Sequence, residues 1–324
     1  MIRHFASCTP KAFCRAIAAG TLALAASFAA AQEYPVRVIR LVVPLSAGSS
    51  VDTLARAFAA EMSKDLKQPV VVENRAGGDS VIGTQFTKNA APDGYTIMLV
   101  IPAHAINVHL YPKLPYHPIK DFSLIAMVAS NMNMLVVPPN SPFKSVKDLI
   151  DHAKNKPGAL NFGNAGGTSG GSAELLNYMA GIKTTNVMYK GAPPALTDLM
   201  AGTIDFMFTA LSSGTSFVQS DKLRALAVTG PNRHASLPNI PTVGETLPNY
   251  SVLGWYGLVG PAGMPAPIVE RLNRAMFAAL VVPEVRARLA TLGFDPAAPN
   301  NAAQFESFVL SEIEKWGKVT KPRE

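Results

Sequence analysis

Cysteine is nearly missing from the 324 residues: there are two, Cys8 and Cys14. Both lie in a leader-like stretch. Arg3, Lys11 and Arg15 make a basic start with no acidic residue, Ala16 to Phe28 is a short apolar core, and Ala29-Ala30-Ala31 before Gln32 offers the small side chains that signal peptidase accepts. Cleavage near Ala31 removes both thiols, so the exported chain can hold no disulfide and no thiolate metal site. Cys14 precedes the apolar core and is no lipoprotein cysteine, and Arg3 alone does not make a twin-arginine signal. No later run of about 18 apolar residues could span a bilayer. His104, His109, His117 and His152 lack metal-ligand spacing with an acidic neighbour, so neither metal nor cofactor is expected. Charge is modest too. Lys and Arg total 29 against 22 Asp and Glu, and 26 against 22 once the leader is gone. The basic residues are scattered, without the aromatic-laced stripe that nucleic acid requires. G-x-G-x-x-G is absent, as is Gly-Lys-Ser/Thr after a glycine loop, which excludes the common phosphate loops. What remains is a disulfide-free exported chain of about 293 residues, enough for two lobes, with the bacterial periplasm as its natural compartment.

The positive signals centre on residues 39–66. Ile39 to Val43 is an apolar run long enough for one buried strand, and Pro44 ends it because proline donates no N–H. Ser46-Ala47-Gly48-Ser49-Ser50 form a small-residue turn. Val51, Leu54, Ala55, Phe58, Met62 and Leu66 then recur at helical spacing, with Ser50 as the expected N-cap. The first N–H groups of a helix lack internal partners and carry partial positive charge, so this turn is a candidate anion cradle. Strands at Pro69–Glu73 and Tyr95–Ile101, with a short helix from about Asp79 to Asn89, complete a β-α-β-α-β run, the signature of a parallel sheet covered by helices. His104 to Pro118 reads as irregular. Leu124–Val128 and Met132–Val137 read as two strands around Ser130-Asn131, crossing into a second lobe.

The second lobe repeats the alternation. Ser145 and Asp148 resemble a capping box. Strand Leu160–Gly163 meets a glycine-rich loop, Asn164 to Gly171, before a helix from Ser172 to Ala180. Asn186–Lys190, Ile204–Ala210 and Leu223–Thr229 read as strands, and Pro231 to Asn249 as a return crossing. Val252–Val259 is a strand, followed by helices at Pro267–Leu280, Pro283–Leu292 and Ala302–Val319. The expected division is 32–128 with 249–324 as lobe 1, and 129–248 as lobe 2. In open α/β sheets ligands sit beyond the carboxyl ends of strands, so two small-residue loops at such ends predict a carboxylate held between lobes. A rival reading uses the same loop. Gly167-Thr168-Ser169-Gly170-Gly171 fits G-x-S-x-G, with Asp198 or Asp205 and then His234 in hydrolase order. A plain glycine-rich turn is the third possibility.

Whole blocks of this sequence resemble the periplasmic receptors of tripartite tricarboxylate transporters, the Bug proteins. They are YPVRVIRLVVPLSAGSSVDTLARAF, QPVVVENRAGG, AAPDGYTIMLV, LPYHPIKDFSLIAMVA, SVKDLIDHAK, VMYKGAPPALTDLMAGTIDFMF, KLRALAVTG, LPNIPTVGE and GWYGLVGPAGMPAPIVERLN, in one order from Tyr34 to Lys318. The resemblance implies an α/β, two-lobed Venus-flytrap fold, each lobe a mostly parallel sheet flanked by helices. It implies a non-enzymatic receptor that captures a small organic carboxylate for an inner-membrane permease; a dicarboxylate or an aromatic carboxylate is the expected ligand, and a monomer the expected state. Ligand-holding roles carry over onto Leu45, Ser46, Ala47, Gly48, Ser49 and Ser50 and onto Asn164, Ala165, Gly166, Gly167, Thr168 and Ser169, with Thr209 and Ala210 also facing the cleft. Thr209 stands where the family commonly has an acidic residue, and the first loop has less proline and glycine than is usual.

Overall fold

The computed structural model describes residues 34–320 apart from 166 and 190; the leader expected over 1–31 lies outside them. Ten strands form: β1 Ile39–Val43, β2 Val70–Asn74, β3 Thr96–Val100, β4 Phe122–Val137, β5 Asn161–Asn164, β6 Thr185–Met188, β7 Phe206–Ala210, β8 Arg224–Val228, β9 Leu253–Pro261 and β10 Asp295–Pro296. The helices are α1 Ser50–Leu66, α2 Val81–Lys88, α3 Ala103–Leu110, α4 Val146–Asn155, α5 Gly167–Ala180, α6 Ala192–Ala201, α7 Leu211–Gln219, α8 Ala266–Leu280, α9 Pro283–Leu292 and α10 Ala302–Gly317.

Strand β4 organises the molecule. Its first part, up to Met132, pairs with β9, and from Asn133 it pairs with β7 and β8. One sheet runs β2-β1-β3-β9-β4 with β10 at its edge; the other runs β8-β4-β7-β5-β6. The two predicted segments are thus one strand of 16 residues. Ser130 and Asn131 look like a break because they are polar, yet they sit where the strand leaves one sheet for the next.

Strand polarity now does something useful. β1, β2 and β3 are mutually parallel, and two antiparallel steps through β9 make β4 parallel to them. All four therefore point towards the crossing. Beyond it β7 and β8 are antiparallel to β4, and β5 and β6 follow β7. Their carboxyl ends point back to the same crossing. The two sheets face each other with the carboxyl ends of their strands, the edges where helix N-termini and ligand loops gather.

Alternation along each strand buries both faces. In the first lobe Ile39, Leu41 and Val43 join Phe58, Met62 and Leu272 on one side, while Val42, Met98 and Val100 join Trp255, Phe305 and Val309 on the other. In the second, Leu135, Phe162, Phe206 and Phe208 face one layer, and Met134, Val136 and Met207 the opposite one. Helix α10 starts among Phe305 and Val309 and ends with Trp316 in the second-lobe core, so its last turn straddles the lobes.

Three helical segments differ from expectation. Residues 103–110 are helical, not irregular: Pro102 stands at the helix start, where a missing N–H costs nothing. Leu211–Gln219 is helical where the sequence, with Ser212-Ser213-Gly214, leads to no expected helix. Helix α5 begins at Gly167, so most of the predicted glycine loop is its first turns. Those glycines serve close approach rather than flexibility. A Cβ on Gly170 would lie 2.2 Å from Asn164 Oδ1, and one on Gly171 2.7 Å from the Trp316 ring.

Candidate functional site

The first loop is built on Asp52. Ser49, not Ser50, is the N-cap of α1: its backbone is extended (ψ 159°) and its side chain accepts the Asp52 N–H. Both serines suit the position by type, and only the backbone torsion chooses between them. Gly48 has φ +83° and donates its N–H to Asp52 Oδ2 at 2.9 Å. Asp52 also accepts from Asn74 Nδ2 at 3.0 Å and from Arg56 Nε at 3.1 Å, and is only 3 % exposed. Burial alone would raise its pKa; the hydrogen bonds from Arg56, Gly48 and Asn74 outweigh that and hold it below the usual carboxylate range. Asn74 Nδ2 also reaches Leu45 O at 3.0 Å. Asp52 therefore does more than complement the helix dipole: it sets the loop's shape and consumes the Gly48 amide. The N–H groups of Ser50 and Val51 find no acceptor among the described residues, and Ser46, Ala47, Gly48 and Ser50 are exposed.

The second loop is the short link from Asn164 at the end of β5 to Gly167. Residue 166 and the burial of Gly167 lie outside what the structure describes; Asn164 is buried against Gly170 and Ala165 is half-buried. Thr168 Oγ1 accepts from Asn133 Nδ2 at 3.2 Å. Ser169 differs from expectation: it is buried, with its hydroxyl donated to Phe208 O, so a ligand would meet its backbone before its side chain. At the end of β7, Thr209 is 1 % exposed and its Oγ1 has no partner among the described residues. Ala210 is the N-cap of α7 and supplies no side-chain cap, which leaves that helix's first N–H groups to other acceptors. Ser212 comes close to the other lobe: a Cβ on Gly293 would lie 2.5 Å from its Cβ.

The hydrolase constellation is not assembled. His234 contacts Ser236 Oγ at 2.7 Å and Asp295 Oδ1 at 3.3 Å, Asp198 accepts from Tyr189, and Asp205 accepts from the Asn161 N–H. None meets Ser169. A serine-directed fluorophosphonate should leave Ser169 unlabelled under native conditions; a Ser169 adduct by mass spectrometry would revive the nucleophile. No group of three or more His, Cys, Asp or Glu could hold a metal among the described residues. Trp255 is core, and Tyr256 packs on Phe294. Two surface hollows, of about 400 and 640 Å³, lie on the first lobe and include no predicted site residue. In the smaller one the cations are already paired, Arg37 with Asp93 and Arg40 with Glu73.

Asn133, Asp52 and Asn74 were not visible as site-building residues. Asp52 has a local signal, an acid in a first helical turn. Asn133 has none, since its partners are 35 to 96 residues away.

Two α/β lobes joined by a shared strand, with strand ends and helix N-termini face to face, are the architecture of periplasmic binding proteins, and the family match makes this one a receptor rather than an enzyme. The chain belongs to the tripartite tricarboxylate transporter receptor family, whose model matches residues 54–324. A Pseudomonas sp. protein from the tcbD-tcbE intergenic region is 36% identical over 312 residues, covering 94% of this chain and 93% of that one. BugT of Bordetella pertussis is 33% identical over 300 residues, covering 90% of each. Among solved structures, a protein of R. palustris with adipate superposes with TM-score 0.71 at 32% identity, covering 90% of this chain and 100% of that one. MatC of Rhodopseudomonas palustris with bound malate gives 0.69 at 33% (88% and 99% covered), and a TctC solute-binding protein from Polaromonas 0.80 at 26% (88% and 98%).

Proposed function

We propose that this receptor works in the periplasm and captures a small organic carboxylate, a dicarboxylate or an aromatic acid, for an inner-membrane permease. The ligand lies between Leu45–Ser50 of one lobe and Asn164–Ser169 of the other, with Thr209 and Ala210 beside it. The lobes are 32–128 with 249–324 and 129–248, except that residues 129–132, paired with β9, go with the first lobe, and the chain acts as a monomer. The observation that carries this reading is the opposed polarity of the two sheets: three helix starts, at Ser50, Gly167 and Leu211, follow strands whose carboxyl ends face one crossing. Amides at such ends suit an anion, and hydrogen bonds to a charged group contribute about 1.5–3 kcal/mol each. Three or four match micromolar binding, about 8 kcal/mol, before the cost of ordering is subtracted. Relatives bound to adipate and malate favour the same chemistry.

A thermal-shift screen over aliphatic and aromatic carboxylates tests it. A ligand at a hundred times its Kd stabilises the folded state by about 2.7 kcal/mol. For a chain of this size that is a rise in Tm of roughly 4–5 °C. A flat response across both chemical series would count against the reading.

A further inference from the structure

Strand β4 changes partners between Met132, which pairs with Leu253, and Asn133, which pairs with Ala210. On this strand the crossing between lobes is one peptide wide. Thr229, one residue beyond β8, sits against it. The Thr229 N–H donates to Asn133 O at 2.9 Å and its carbonyl accepts from the Val252 N–H at 2.9 Å. Its Oγ1 accepts from the Asn133 N–H at 2.9 Å and donates to Val252 O at 2.7 Å. Four hydrogen bonds on one residue thus tie the outgoing strand to the segment that leads back into β9. Thr229 and Val252 have no exposed surface and Asn133 almost none.

The Asn133 side chain continues the network away from the joint. Its Nδ2 lies 3.2 Å from Thr168 Oγ1 and 3.3 Å from Ser172 Oγ. Ser172 Oγ donates to Thr168 O at 2.6 Å, and Tyr250 Oη donates to Ser172 O at 2.8 Å. The first turn of α5, which the proposed site uses, is thereby wired to both crossing segments by buried polar groups. Such groups are costly to leave unpaired. Lobe rotation must be absorbed by torsions flanking this joint rather than within it.

We propose that Thr229 is a positioning residue: its hydroxyl fixes the angle between the lobes, and Asn133 links that joint to the first turn of α5. The link to ligand rests on the receptor reading; the angle does not. The side chain separates packing from hydrogen bonding well. Thr229→Val keeps the branched shape and loses the hydroxyl, while Thr229→Ser keeps the hydroxyl and loses a methyl.

The test uses the full chain with Cys8 and Cys14 replaced by serine and spin labels on Lys64→Cys in α1 and Lys147→Cys in α4, both exposed positions. Interlobe distances are measured without ligand. Thr229→Val should give a distribution about twofold wider than the parent, as local order at the joint is lost, and Thr229→Ser should match the parent. An unchanged Val variant overturns the proposal. So does a Ser variant widened while Val is not, because the methyl would then hold the joint. Should the Val variant fail to fold, Ser decides alone: parent-like distances support the hydroxyl, widened ones overturn it. A parallel adipate titration should show binding weakened about tenfold in the Val variant, the size expected for one hydrogen bond lost. Failure of the parent to bind adipate or any other carboxylate would weigh on the receptor reading and leave the ligand-free distances standing.

Discussion

On the proposed function, Gly48→Val should weaken carboxylate binding by about a hundredfold or more in a protein that stays folded. Gly48 holds φ +83°, a region that a β-branched residue adopts only under strain. A Cβ there would meet nothing within 4 Å, so the damage is to the backbone and not to packing. Left-handed geometry costs an L-residue about 1–2 kcal/mol, and valine costs more than alanine. The loop can escape only by rotating the Gly48 N–H off Asp52. That removes one donor from a buried carboxylate, at about 1–3 kcal/mol, and moves the Ser46–Ser50 amides out of register with the opposite loop. Leu41, Leu54, Phe58 and Met62 belong to the core shared by β1 and α1 and keep their contacts, so the lobe survives. Affinity for the carboxylate with the largest thermal shift should fall by about a hundredfold or more, roughly 2.7 kcal/mol, with Tm lower by only a few degrees. Gly48→Ala should fall between the two. Calorimetric titration decides, and full affinity in the valine variant would place the ligand elsewhere.

Glu312→Ala has the largest expected effect on stability. Glu312 is 4 % exposed. Its Oε2 accepts from Trp255 Nε1 at 3.2 Å and from Trp316 Nε1 at 3.0 Å, and its Oε1 pairs with Lys315, whose Nζ also reaches Ser251 O at 3.0 Å. One carboxylate thus satisfies indoles from two different cores, Trp255 with Phe305 in the first lobe and Trp316 in the second. Alanine would leave two buried N–H donors unpaired and a half-buried ammonium without its counterion. Removing one partner of a buried charged pair costs about 3–5 kcal/mol. Urea denaturation should report a loss of that size, with Glu312→Gln in between because its amide oxygen can still accept from the indoles. A loss under about 1 kcal/mol, the scale of an exposed pair, would mean that this carboxylate is not the strut described.

Much of the molecule is legible in the chain because it depends on near neighbours. The 39–66 unit, the strands at 70–74 and 96–100, and the final helices follow from apolar periodicity within a few residues. The Ser145 cap also forms, although Asp148 turns to the Lys144 N–H rather than to that of Ser145. Legibility fails where a distant partner outweighs local propensity. Gly167–Gly171 reads as loop because glycine disfavours helices, yet Asn164 and Trp316 require glycine at 170 and 171 and the segment is helical. Ser130-Asn131 reads as a gap because no local signal says that a strand is passing between sheets. Ser169 and Ser212 look alike as small polar residues; one is consumed by Phe208 O and the other meets Gly293.

The amino-acid sequence by itself determined most of the element types, the family and the two loops that end on helix starts, since each rests on residue type and short-range spacing; the helices at 103–110, 167–171 and 211–219 and the unbroken β4 were not among them. Only the tertiary structure decided that all those strand ends point at one crossing, that Asp52 takes the Gly48 amide, and that Asn133 and Thr229 meet at the joint. The reason is that hydrogen bonds between residues 35 or 96 positions apart leave no imprint on local periodicity; the folded chain alone sets which donor reaches which acceptor.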